Sequence, residues 1–147
     1  MSRFYSSLNE MNMPFEGGKI ALYLGSKLVV ILRDMDETIP FPGHWDLPGG
    51  GREGDETPVE CVLRETEEEL GLKIPVDALA WGRAYLERDR RHWFFVGRLP
   101  EIAVKQIRFG NEGQGWQLMR DQTFIDHPRA IPHLQSRLLQ FLQSGQS

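Results

Sequence analysis

An α/β domain is the fold class this sequence predicts, and three observations carry it. Two β-prone runs, "KIALYL" and "KLVVIL", flank Gly25–Ser26 and read as a hairpin. Residues 57–70 read as a helix with both ends marked, and residues 78–99 read as a second strand pair. The chain has 147 residues, 40% of them hydrophobic, enough for one domain over 1–147 with a buried core. A formal net charge of −4 argues against a broad basic surface for a nucleic acid polymer.

Residues 1–18 are expected to form an extended arm or edge strand, polar and broken by Pro14, Gly17 and Gly18. They lack the apolar run of a signal peptide, and no stretch approaches the length that spans a bilayer. With Cys61 as the sole cysteine, no intrachain disulfide is possible, and a cytoplasmic protein is the expectation. After the hairpin, residues 36–56 hold three prolines and five glycines and read as a long loop. Beyond the 57–70 helix, the second strand pair turns near Asp89–Arg91, "GWQLM" (115–119) reads as a short strand, and Pro128 to Phe141 reads as a closing amphipathic helix.

The helix start is explicit. Thr57 is placed as N-cap, Pro58 as the first helical residue, and Glu60 completes a capping box. Gly71 suits the left-handed position just past the end. At about 3.6 residues per turn, Val59, Val62, Leu63, Thr66 and Leu70 share one stripe, which is the packing face. Glu65, Glu68 and Glu69 cluster at i, i+3 and i+4, while Glu67 falls on the other side.

A solvated charged face is the plain reading of such a helix, but the positions are unfavourable. Like charges at i,i+4 destabilise by roughly 0.2–0.5 kcal/mol, and carboxylates in a last turn oppose the macrodipole by roughly 0.3–1 kcal/mol each. A hard divalent cation reverses both effects and bridges carboxylates to phosphates. The trio therefore reads as a candidate Mg²⁺ site facing a phosphorylated small molecule.

The loop "GGGREG" (49–54) formally matches a dinucleotide fingerprint, yet no buried strand and no βαβ alternation surround it. Loop and helix together are more specific. "GGREGDETPVECVLRETEEELGL", 23 residues from Gly50 to Leu72, resembles the Nudix box. Gly50, Glu56, Arg64, Glu65, Glu68, Glu69, Gly71 and Leu72 match its fixed positions, and Thr66 departs where an aliphatic is usual. "WDLPGG" upstream is also typical of that family.

The resemblance implies a Nudix fold, an α/β/α sandwich with a curved mixed β-sheet. It implies that Glu65, Glu68 and Glu69 hold Mg²⁺ (or Mn²⁺) with a backbone carbonyl near Gly49 or Gly50, and that Glu56 and Arg64 support them. It makes Glu68, Glu65, Arg64 and Glu112 the catalytic candidates, the general base lying within the trio or at Glu112. Candidate substrate contacts are Arg52, Trp45, Phe41 and Tyr85. Trp93 and Trp116 are further aromatics, each of these five rings being more simply read as core, and Arg88, Arg90 and Arg91 could bind phosphate but are more simply read as solvated.

The reaction so implied is hydrolysis of a nucleoside diphosphate derivative, foremost a MutT-like (d)NTP pyrophosphohydrolase. A nucleotide sugar, dinucleotide or other NDP-X is the alternative substrate, and a non-catalytic nucleotide-sensing module is the alternative class. Relatives that cleave ADP-ribose often carry a proline some way past the box, where this chain has Leu86–Glu87–Arg88. Neither a nucleic acid polymer nor a membrane is expected as partner, and monomer and homodimer both stay open.

Overall fold

The first long strand, β1 (Gly17–Leu24), is apolar on both of its faces because both are covered. Ile20, Leu22 and Leu24 pack on one side with residues of helix α2 (Pro58–Leu70), while Ala21 and Tyr23 pack on the other with Leu134, Leu138 and Phe141 of helix α4 (Pro132–Gln143). The computed structural model, which describes residues 8–145, is thus a sheet between two helical layers. Fully burying one such Leu or Phe side chain contributes about 1.5–3 kcal/mol.

The sheet is mixed. β1 runs parallel to β6 (Arg90–Leu99), from Gly17 opposite His92 to Leu24 opposite Leu99. Its other edge is shared. Tyr23 and Leu24 pair with β2 (Lys27–Leu32), while Gly17 to Lys19 pair with the short β4 (Gly49–Gly51). β2 then pairs with β3 (Trp45–Asp46) and with β7 (Gly115–Met119), and β5 (Leu79–Glu87) closes the far edge beside β6. The sheet is not strongly curled, so the curvature implied by the resemblance exceeds what is found.

Most expected elements stand, with differences at the joints. The hairpin turn holds Gly25 at φ 63, the value expected of a first-position glycine. The second hairpin turns at Arg88 and Asp89, with φ 52 and 64, slightly before the expected position. The arm is partly helical at α1 (Leu8–Met11), and residues 1–7 lie outside the described residues. The closing helix starts at Pro132, because residues 128–131 turn and bridge Ala130 to Trp45 instead. A short helix, α3 (Asp121–Asp126), was not foreseen; its buried Phe124 fills the core beneath α4. Among the described residues no helix is long and apolar enough to cross a membrane.

The loop expected over 36–56 contains β3 and β4. Glycine is a poor strand former in general, but β4 is built by close approach. A Cβ on Gly17 would collide with the Gly50 carbonyl, and one on Gly49 would lie 2.7 Å from Lys19 Cα. Only unsubstituted backbone can pair this tightly.

Candidate active site

Helix α2 is held at both ends. The Glu60 amide donates to Thr57 Oγ1 at 3.1 Å and the Thr57 amide donates to Glu60 Oε1 at 2.9 Å, a complete capping box. Gly71 sits at φ 69 and donates to the Glu67 carbonyl. Two further carbonyls of the last turn are met by a loop. Arg108 N donates to Leu70 O at 2.8 Å and Gly110 N to Glu69 O at 2.8 Å. That docking carries Asn111 and Glu112 to the same end of the helix.

The helix buries Pro58, Cys61, Val62, Thr66 and Leu70. Val59 and Leu63 are only partly covered, so the packing stripe is rotated toward Cys61 from the expected one. Thr66, the departure from the box, is fully buried and satisfies its hydroxyl by donating to Val62 O at 2.7 Å. Burial pushes the Cys61 thiol up to about 11, which keeps it protonated and inert.

A cavity of about 530 Å³ is lined by Glu53, Glu65, Glu68, Glu69 and Glu112, by the backbone of Gly49–Gly51, and by Lys19, Arg33 and Asp46. The expected trio shares this space and Glu67 is exposed outside it. The three glutamates are not equivalent. Glu65 is largely covered and Glu68 open, with side-chain exposures of 20% and 58%. Glu69 is the most enclosed, and burial pushes its carboxyl up to about 7 against the pull of Lys19 and of the Gly49 amide, which donates to Oε1 at 2.8 Å.

Arg64 organises the open side. Its Nε and Nη2 both engage the Glu56 carboxylate, Nη1 donates to Glu65 Oε1 at 2.9 Å and to Glu68 Oε1 at 3.1 Å, and Nη2 also reaches the Gly51 carbonyl at 2.9 Å. The supporting pair named from the resemblance, Glu56 and Arg64, thus forms one charge-assisted network with two glutamates of the trio. Gly50 permits it: a Cβ there would collide with the Glu65 carboxylate.

Sequence reasoning did not find the cationic part of the cavity. Asp46, 4% exposed, accepts from Lys19 Nζ and from Arg33 Nη1, both at 3.0 Å. Lys19 also donates to Leu47 O at 3.3 Å and Gly49 O at 3.2 Å. These residues lie on β1, on β3 and just past β2, with no local pattern linking them. The one available signal was the acidic residue inside "WDLPGG".

The donor set fits a hard divalent cation in kind, being carboxylates and backbone carbonyls around one cavity. It is not preassembled: among the described residues no three His, Cys, Asp or Glu side chains converge as a metal-binding group. Glu65 and Glu68 are turned to Arg64, and Glu69 to the Gly49 amide. The Gly50 carbonyl accepts from the Cys61 thiol at 3.6 Å.

The expected substrate contacts fall elsewhere. Arg52 lies over the Phe15 ring at 4.7 Å and donates to Glu56 O, so it braces the loop before α2. Trp45 packs against the α4-side core and meets His127 edge-on. Phe41 lies beside His133, and Tyr85 lies under Arg137 and donates to Gln140. None of the four lines the acidic cavity. Trp93 is buried in the core and Trp116 packs against it, in line with their plainer reading.

Fold and site together define a Nudix-type domain, and the NUDIX domain profile matches residues 20–134. The chain belongs to the Nudix hydrolase family. A MutT-like protein of Streptomyces ambofaciens is 37% identical over 73 residues, 47% of this chain and 47% of that protein. An RNA pyrophosphohydrolase of Acidiphilium cryptum is 30% identical over 89 residues, 50% of this chain and 54% of its own length. The matched stretch thus spans about half of each of these relatives. The crystal structure of a MutT protein from Methanosarcina mazei Go1 superimposes with a TM-score of 0.69 at 17% identity, over 91% of this chain and 97% of that one, which establishes the fold.

Proposed function

We propose that the protein is a divalent-metal-dependent hydrolase of the diphosphate linkage in a nucleoside diphosphate derivative, with (d)NTPs, split to NMP and pyrophosphate, as its foremost substrates. The observation that carries this reading is one cavity lined both by Glu65, Glu68 and Glu69 and by Lys19 and Arg33. Oxygen donors for a cation thus stand beside cations suited to phosphate oxygens. The likeness to a MutT-like protein supports the MutT-like reading. A nucleotide sugar, dinucleotide or other NDP-X is the second reading; the likeness to an RNA pyrophosphohydrolase, by its name a pyrophosphate-cleaving enzyme, goes with the first.

Glu65, Glu68 and Glu69, with the Gly49 or Gly50 carbonyl, are the residues to hold Mg²⁺ or Mn²⁺. A cation held there would supply charge neutralisation for the phosphate oxygens. Lys19 and Arg33, fixed by Asp46, bind non-bridging oxygens and set the chain of phosphates across the cavity. Arg64 orients Glu65 and Glu68. An open carboxylate, Glu68 or Glu112, takes the proton of the attacking water, whose oxygen joins phosphorus while the bridging oxygen leaves with the other product.

The test is a substrate panel of (d)NTPs and NDP-X compounds with Mg²⁺ and Mn²⁺, products identified by mass. Monophosphate plus pyrophosphate supports the first reading, and two phosphorylated monoesters support the second. Glu68→Gln keeps an acceptor for Arg64, so it should fold normally and lose roughly 10²–10⁴-fold in turnover if Glu68 is the base. Near-parental turnover at saturating metal would remove Glu68 from the chemistry.

A further inference from the structure

The segment 51–56 joins β4 to α2 and supplies the anchors of Arg64 outside its own helix. Arg64 Nη2 reaches Gly51 O at 2.9 Å, Nη1 lies 3.4 Å from Glu53 Oε2, and Nε and Nη2 engage the Glu56 carboxylate. The bonds Arg64 makes along its helix go to Glu65 and Glu68. The shape of the segment therefore decides where Arg64 stands, and Arg64 in turn orients two glutamates of the trio.

Local bonds give the segment its shape. Glu56 N donates to Glu53 O at 3.3 Å, and Glu53 N donates to Glu56 Oε1 at 2.9 Å. Gly54 stands at φ 56, with open space where a side chain would go, so packing does not hold the tip. Arg52 ties the start of the segment to its end. Its amide donates to Glu16 O at 2.9 Å, and its Nε donates to Glu56 O at 2.9 Å.

A long side chain needs a seat to keep such a bond, because fixing it costs rotamer freedom. The Arg52 guanidinium lies over the Phe15 ring, 4.7 Å from its centroid, and Phe15 is 8% exposed. Phe15 is itself held in place. Glu16 N donates to Arg91 O at 2.8 Å, Arg91 Nη1 donates to Pro14 O at 3.1 Å, and Arg91 Nε lies 3.5 Å from Glu10 Oε2. The arm ahead of β1 is thus laced to the start of β6 and offers one ring face to Arg52. Because Arg52 does not line the acidic cavity, its guanidinium is placed to hold backbone rather than a phosphate.

We propose that Arg52 is a positioning residue. Seated on Phe15 of the arm, it closes the 51–56 segment, fixes Glu56, and through Arg64 sets Glu65 and Glu68. The arm is then part of the scaffold of the site. This rests on the diphosphate-hydrolase reading above, whose own test is product analysis.

The experiment begins with the full chain free of metal. NMR follows the Arg64 Nε–H, whose exchange with solvent is slowed by its bond to Glu56. Arg52→Met keeps an unbranched stem against Phe15 and removes the donor, so this exchange should quicken roughly tenfold or more, with circular dichroism unchanged. Phe15→Leu keeps an apolar side chain without the ring face and should act in the same direction. Should Arg52→Met fail to fold, Phe15→Leu carries the same readouts. With a cleaved compound from the panel, kcat should fall roughly 10–100-fold, while KM stays within about twofold. Added to Glu56→Gln, Arg52→Met should lower kcat by less than about a further twofold, because both act through Arg64. Unchanged exchange, a rise in KM with parental kcat, or an equal loss with and without Glu56 overturns the proposal. Quickened exchange in a chain whose parent cleaves no compound would sustain the brace and remove the hydrolase reading.

Discussion

The Gly110 amide is bonded to the Glu69 carbonyl at 2.8 Å, and this contact fixes a loop to the end of the glutamate-bearing helix. The same loop brings Glu112 into the acidic cavity. A Cβ on Gly110 would lie 2.7 Å from the Glu68 carbonyl oxygen and 3.5 Å from that of Glu69, both of them backbone atoms that cannot rotate away. Gly110→Ala should therefore push the loop off the helix end. The expected loss is about 1–3 kcal/mol of stability by denaturant unfolding, together with a fall in kcat. Glu112→Gln is the companion variant. An equal fall in kcat without loss of stability assigns the effect to the carboxylate, whereas parental kcat in Glu112→Gln removes it from the chemistry.

Arg64 engages Glu56, Glu65, Glu68 and the Gly51 carbonyl through a planar fork that a lysine cannot reproduce. Arg64→Lys should lower activity roughly 10–100-fold by releasing the glutamates, the range seen for groups that orient metal ligands. The network also has a pH signature. Hydrogen bonding from Arg64 holds the Glu56 carboxyl below its ordinary value of 4.5. A depressed carboxylate stabilises the fold above its unfolded value, and that contribution disappears as pH falls through the lowered one. The acid-unfolding midpoint of Arg64→Lys should thus move to higher pH, and an unchanged midpoint would show that Glu56 draws nothing from the pair.

Asp46 is buried between two cations, with Oδ2 accepting from Lys19 and Arg33 while Oδ1 takes the Leu47 amide at 2.7 Å. Asp46→Asn retains one acceptor and turns an amide donor toward two donors. Leaving those cations uncompensated should destabilise the fold by about 3 kcal/mol, read as a drop in Tm. Lys19 and Arg33 would also lose their fixed position, so KM for a triphosphate should rise more than kcat falls.

How much of this was legible beforehand follows from where the information lies. Thr57, Pro58, Glu60 and Gly71 mark the helix through contacts a few residues long, so sequence alone bounded it, and the spacing of Glu65, Glu68 and Glu69 placed them together. Lys19, Arg33 and Asp46 meet only when β1, β2 and β3 are assembled, which no local pattern encodes. β4 was hidden because glycine is disfavoured in strands except where backbones must nearly touch, as Gly49 does with β1. The Phe15 ring beneath the Arg52 guanidinium was not legible because the two residues lie far apart in the chain.

Glu69 supplies the sharpest prediction, because the awkward placement of charge in its helix is concentrated there. Its carboxyl ionises at about 7 in the folded chain against an ordinary 4.5. A raised carboxyl favours the fold fully below 4.5 and loses that advantage as pH climbs through 7, so the metal-free protein should become less stable across this window. The shift corresponds to roughly 3 kcal/mol at alkaline pH. Glu69→Gln keeps an acceptor for the Gly49 amide and carries no charge, so metal-free it should melt higher than the parent at pH 8 and show little slope between 5 and 7.5, within roughly the same 3 kcal/mol. Mg²⁺ or Mn²⁺ should raise the Tm of the parent most above pH 7, where Glu69 is ionised, and raise that of Glu69→Gln far less. Equal metal-induced shifts in parent and variant would remove Glu69 from the cation site.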